Sequence, residues 1–222
     1  MKQKLYDNAY ILTICLLFQL PTFALEIPTW MTLKKKEIKN EVWPEIHIVA
    51  TIDTDPLTST AIFAAYDYQK HYIPDLKESK VILEKVQKKT NETHVKYTFD
   101  MPWPLSDGHY VHGHEITKTK KGSFQVRWFL VESDSAELVR GEATFSPHPT
   151  ETGKTQLTYV SLVRPKSFLA GIFKKIMVGD VIESIRAIKS TTEKLSKTNQ
   201  TIVEKYQKKV RQVLSGKKAY LN

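Results

Sequence analysis

Residues 167–189 read SFLAGIFKKIMVGDVIESIRAIK, and Phe168, Leu169, Ile172, Phe173, Ile176, Val181, Ile182, Ile185 and Ile188 recur in it at three- and four-residue steps. That period marks a helix with one apolar face, and such a face has to lie against another apolar surface. Leu195, Ile202, Val203, Tyr206, Val210 and Val213 extend a weaker stripe that Gly216 ends.

The surface it needs lies upstream, where the period falls to two. Glu45 to Ile52 is β-branched and partly alternating, a strand. Asp55 and Pro56 then start a short helix over Leu57 to Tyr66, with Ile62, Phe63 and Tyr66 on its buried face, and Tyr72 to Leu76 closes this segment. Alternation resumes over Lys80 to Gln87 and His94 to Met101, where Val95, Tyr97, Phe99 and Met101 share a face. Pro102 and Pro104 interrupt the ladder because each lacks a donor. Further strands are expected over His109–Thr119, Ser123–Glu132, Leu138–Phe145 and Lys154–Val163, joined by turns at Lys120-Lys121-Gly122, Ser133-Asp134-Ser135 and Glu151-Thr152-Gly153.

The pattern predicts an α+β fold. About seven strands form one antiparallel, curved meander wrapped round a long C-terminal helix, with short helices after the first strand. A curved sheet gripping one helix leaves a hollow between them, a natural place for an apolar ligand.

Composition narrows the class. Of 222 residues, 41% are hydrophobic and 26% charged, which excludes a disordered chain, a collagen-like chain and a polytopic membrane protein. Cys15 is the single cysteine, so a disulfide framework and a Cys-rich zinc site are excluded. Nine Lys or Arg against two Glu from Lys189 to Asn222 supply +7 of the net +9. The body is therefore near neutral, and nucleic acid is not an expected partner. The basic tail reads as a solvated helix, or as one that rests on an anionic membrane.

Met1 to Ala24 reads as a secretory signal peptide. Lys2 and Lys4 precede an uncharged apolar run from Tyr10 to Leu20, Pro21 breaks it, and Thr22-Phe23-Ala24 suits a signal peptidase. The run is shorter than the roughly 20 residues a spanning helix needs. Leu12-Thr13-Ile14-Cys15 is a poor lipoprotein box, because Ile14 is too bulky. The expected organisation is a signal peptide (1–24), a loosely held lead-in (25–44), one domain (45–190) and a basic helical extension (191–222). The mature protein is expected to be periplasmic and monomeric.

Three stretches in order resemble the START-type lipid-transfer domains and the broader polyketide-cyclase superfamily, which share a helix-grip fold. Pro56 to Pro74 resembles the opening helices, with Tyr66-Asp67-Tyr68 leading to a closing turn at Tyr72 and Pro74. Pro102-Trp103-Pro104-Leu105-Ser106-Asp107 is similar to the "PWPLSDRD" turn of bacterial START-like proteins, and is the specific motif of the three. Gly141 to Pro147 and Thr155 to Tyr159 resemble the paired late strands. The resemblance spans about Glu45 to Ile188 and implies lipid binding in an internal cavity. Two positions depart from it. Gly108 stands where the family has Arg and His109 where it has an acidic residue, so the head-group contact of that Arg is not implied. Ala143 replaces a late-strand Trp, which would enlarge the cavity.

The densest polar cluster is His109 to Glu115, and on a strand His112 and His114 share a face about 6–7 Å apart. That spacing suits zinc if a third ligand arrives, but no second pair at ligand spacing supplies one, so no metal is expected. A G-x-S-x-G elbow, a phosphate-cradling Gly loop and a carboxylate pair on an apolar strand face are all missing, so neither catalytic residues nor a cofactor are expected. Arg127 and Arg140 either meet a ligand's polar end or are solvated outer-face charges. Tyr97, Trp103, Tyr110, His112, His114, Trp128, Phe145 and Tyr159 are the candidate ligand-binding residues; for each aromatic, plain core packing is the alternative. The reading is an exported carrier of a hydrophobic ligand, with a lipid expected. The alternative is a cyclase or aromatase acting on a polyketide-like substrate in the same cavity.

Overall fold

Ile46, Ile48, Ala50 and Ile52 alternate along one strand and are all buried, while Val49 between them is exposed. That alternation recurs through the chain and builds one sheet with a concave apolar face. The computed structural model describes residues 26–86, 91–101, 106–119, 122–166 and 174–221. Its strands are β1 (Met31–Lys36), β2 (Glu45–Ile52), β3 (Leu76–Val86), β4 (Asn91–Phe99), β5 (Gly108–Lys118), β6 (Phe124–Ser133), β7 (Ala136–Pro147) and β8 (Thr155–Pro165). Its helices are α1 (Pro56–Phe63), α2 (Lys174–Thr198) and α3 (Gln200–Leu214), with a 3₁₀ turn at Gln69–His71. The helix-grip α+β architecture expected from the sequence is the one observed.

Three details differ from the expectation. The sheet has eight strands, because part of the lead-in is β1, which pairs antiparallel with β2 and buries Met31. The Lys34 to Lys36 run that reads as a loop is the outer part of an edge strand, where lysines discourage pairing with another chain. The order is β1-β2-β8-β7-β6-β5-β4-β3, so only β3 to β8 form a meander, and the β1–β2 hairpin is joined to its far end through β8.

The last helical stretch is two helices. In α2, Val178, Ile182, Ile185, Ile188, Thr192 and Leu195 are buried at the expected steps. Asn199 leaves the helical conformation and accepts a hydrogen bond from the Ile202 amide, capping α3. Residues beyond 190 do not form a solvated appendage: Val203, Tyr206, Val210 and Val213 are buried. Beyond α3, Gly216 takes φ 75°, as a helix-ending glycine does, and the chain folds back so that Ala219 and Tyr220 are buried. Phe168, Leu169, Ile172 and Phe173 of the expected stripe lie outside the described residues, as do Met1 to Leu25 and the turn at Pro102 to Leu105.

Helix α1 is buried all round, from Thr58 to Phe63. Asp55 caps it by accepting from the amides of Leu57 and Thr58, 3.0 Å each. It lies between the strands β6 to β8 and the two C-terminal helices. It therefore fills one half of the concave face and leaves the other half to α2.

Candidate functional site: a cavity under helix α2

Along β5 the inward residues are Tyr110, His112 and His114 in two-residue steps, and the same row meets two different environments. At its inner end, His114 packs on Tyr66 with ring centroids 4.5 Å apart, and its Nε2 lies 3.1 Å from the Tyr97 hydroxyl. Tyr66 in turn packs on Tyr220, 5.0 Å away. This end is solid. At its outer end, Tyr110 and His112 face a cavity of about 450 Å³ between the sheet and α2. A bulge at this point pairs Val111 with Glu132 but His112 with Leu130, leaving Val131 as the extra residue of β6. Such a bulge bends and twists a sheet locally.

The cavity has an aromatic floor. Trp128 lies 5.3 Å from Tyr159, and Gly141 opposite Trp128 leaves room for the indole, since a Cβ there would stand 2.2 Å from it. Ile46, Val139 and Val163 complete the sheet side, and Met177 and Val181 face them from α2. At the mouth stand Trp43, Pro74, Asp75, Asp100 and Asp180.

Of the candidate residues, Tyr110, His112, Trp128 and Tyr159 line this cavity. Tyr97, His114 and Phe145 are buried beside it. They share the concave face, but α1 and the C-terminal segment cover that half: Phe63 packs on Phe145 with centroids 5.3 Å apart. Trp103 lies outside the described residues. Ala143 does not enlarge the cavity. It is fully buried and is not among the residues that line the cavity. Arg127 and Arg140 are exposed on the convex face, where Arg140 approaches Glu45 at 3.8 Å.

Sequence reasoning missed Asp75, Asp100, Asp180 and Trp43. Asp180 had a legible signal, a carboxylate four residues after Ile176 on the stripe side of the helix. Asp75 stands at φ 58° in the turn before β3, a conformation that only the folded chain reveals.

The electrostatics follow from burial. His112 is held down to about 4 by desolvation, so its ring is neutral at physiological pH, and its Nε2 is buried without a hydrogen-bond partner. His114 is lowered further by the same cause, with the charges of His112 and His94 adding to it. Asp180 has one side open to solvent and the other against the cavity wall; desolvation, and then the nearby Asp75 charge, lift it to about 6. Among the described residues no cluster of three or more His, Cys, Asp or Glu is placed to hold a metal, and His112 and His114 stand 6.0 Å apart between ring centroids. No described helix is long and apolar enough to cross a membrane.

No protein-family model matches the chain, and no curated protein matches it in sequence. Solved structures do match it in fold. A STAR-related lipid transfer protein from Xanthomonas axonopodis superposes with a TM-score of 0.65 at 14% identity, covering 75% of this chain and 96% of that one. Human StAR-related lipid transfer protein 5 gives 0.62 at 7% identity, covering 88% and 100%. The Zhui aromatase/cyclase of a Streptomyces species gives 0.54 at 8% identity, covering 69% and 96%. With its eight-stranded curved sheet, a buried helix after the second strand and a C-terminal helix over a cavity, and with these superpositions, the chain has the START-like, helix-grip fold.

Proposed function

We propose that the protein holds a hydrophobic ligand, a lipid, in the cavity under α2. The observation that carries this is an apolar cavity of about 450 Å³ with an unpartnered polar atom, His112 Nε2, in its wall. Small-molecule sites span roughly 300–1,000 Å³ and combine apolar walls with a few placed polar groups. A buried polar atom without a partner costs about 1–3 kcal/mol, which a ligand hydroxyl or carbonyl would offset. That two of the neighbours are named for lipid transfer supports the same reading.

Binding is favoured over catalysis. His112 is neutral and its Nε2 has no hydrogen-bond partner among the described residues, so it is not paired with a carboxylate as a general base would be. The cyclase reading rests on the aromatase/cyclase neighbour and uses the same cavity. We further read the protein as exported to the periplasm after removal of residues 1–24, monomeric and without a cofactor. Lys194, Lys197, Lys205 and Lys208 are exposed on α2 and α3, which supports docking on an anionic membrane at about 1 kcal/mol per lysine near the surface.

Native mass spectrometry of the purified protein tests the main reading. A co-purified lipid, or one taken up from vesicles, is the expected result. A protein that carries nothing and takes up nothing would defeat the proposal.

A further inference from the structure

The charge around the cavity is opposite in sign to that of the protein. The chain carries +9, yet among the described residues the charged side chains lining the cavity are Asp75, Asp100 and Asp180, with neither Lys nor Arg. Asp100 is balanced from outside, since Lys77 Nζ lies 2.9 Å from it and 2.8 Å from Asp107. Asp75 and Asp180 have no such partner among the described residues, and the Asp75 charge adds to the cost of ionising Asp180.

Acidic residues alone do not make a site, but His112 adds an independent indication of a ligand. Its ring lines the same cavity, and its Nε2 is buried without a hydrogen-bond partner among the described residues. Being neutral, it presents a hydrogen-bonding atom without adding a positive charge that would suit an anion. Tyr110 and Trp43 line the same cavity, and aromatic faces attract cations.

We propose that the ligand is an amphiphile with a cationic, amine-derived end held by Asp75 and Asp180 at the mouth, and a hydrogen-bonding group in its buried part that meets His112. An anionic lipid would bring its charge against two carboxylates, and among the described residues no basic side chain lines the cavity to receive it. This inference rests on the reading of the cavity as a lipid site and adds the charge of what enters it.

Calorimetric titration of the purified protein with dodecylammonium, dodecanol and dodecanoate tests it, each below its micelle concentration or solubility limit, at neutral pH and about 0.15 M salt so that surface attraction is screened. Dodecylammonium should bind one to one and at least about tenfold tighter than dodecanol, with dodecanoate weakest. In the double variant Asp75→Asn/Asp180→Asn the amine-to-alcohol ratio should fall to about threefold or less. Asn tolerates the positive φ at position 75, so the turn should survive. Dodecanoate binding as tightly as dodecylammonium, or a ratio untouched by the double variant, overturns the inference. Binding of all three without preference overturns this inference alone. Failure of all three to bind overturns the lipid-site reading and this one with it.

Discussion

Trp128 lies across Gly141, its partner on the neighbouring strand: a Cβ on Gly141 would fall 2.2 Å from the indole Cζ2 and 2.6 Å from the Val160 carbonyl oxygen. One of those neighbours is backbone and cannot swing aside. Gly141→Ala should therefore tilt the indole off the cavity floor, cost about 1–3 kcal/mol, and weaken uptake of a fluorescent lipid. Urea denaturation and a binding titration check the two halves separately. A variant as stable and as avid as the parent would mean that the indole is not held against this glycine.

His112 makes stability depend on pH. An unfolded histidine titrates near 6.5, and burial holds this one at about 4. As pH falls through that interval the unfolded chain takes up a proton that the folded protein refuses, so stability drops; above about 6.5 both states are neutral and the effect vanishes. Asp180, raised to about 6, acts in the opposite direction, so the comparison has to be made against a variant. Between about pH 7.5 and 4.5 the unfolding free energy should shift by about 2–3 kcal/mol in favour of His112→Gln over the parent. A difference that stays constant across this range would show that the ring titrates normally.

Ile182 is 1% exposed in the middle of the buried face of α2. Truncation to Ala should cost about 2–5 kcal/mol, the usual range for a core isoleucine. An Asp at the same position should prevent folding or expose the ligand, because nothing there could pair with it. Chemical denaturation measures the first and proteolytic sensitivity the second. A loss under 1 kcal/mol for the Ala variant would place Ile182 outside the core.

Glu84 on β3 is buried and accepts hydrogen bonds from the backbone amides of Ala219, Tyr220 and Leu221 at 2.8, 3.0 and 2.9 Å. The Tyr220 hydroxyl donates to Ala64 O beside it, at 2.7 Å. Glu84→Gln puts a donor where an acceptor is needed and should cost about 1–3 kcal/mol. Amide exchange at residues 219–221 should speed up in the variant. Unchanged exchange would show that the carboxylate does not hold the segment. Removing residues 200–222 would also strip Val203, Tyr206, Val210 and Val213 from the core, so it should destabilise the whole protein.

The sheet was legible because alternation is local: Glu45 to Ile52 announces its inner face without help from any other segment. The strand Met31–Lys36 was not, since three consecutive lysines erase alternation on an edge that needs them for another reason. Four of the eight candidate residues line the cavity, and Tyr110 and His112 were legible for the same local reason, as they follow from the pleat. What separates them from His114 is Tyr66 arriving from another element, and no spacing within β5 encodes that. Asp75 and Asp180 lie more than a hundred residues apart, so their meeting at one mouth depends on how α2 crosses the sheet.

The pairing of Ile46 with Ser161 has a kinetic consequence. The strands β3 to β8 can zip as successive hairpins, each closing a short loop, whereas β2 must find β8 across more than a hundred residues of chain, a search that slows folding. Ile46 is one wall of the cavity and Tyr110 belongs to the opposite side. The binding chamber therefore comes into being only when that distant seam closes. Amides along β2 and β8 should be the ones whose exchange slows most when the chamber is filled, as occupancy holds the seam shut.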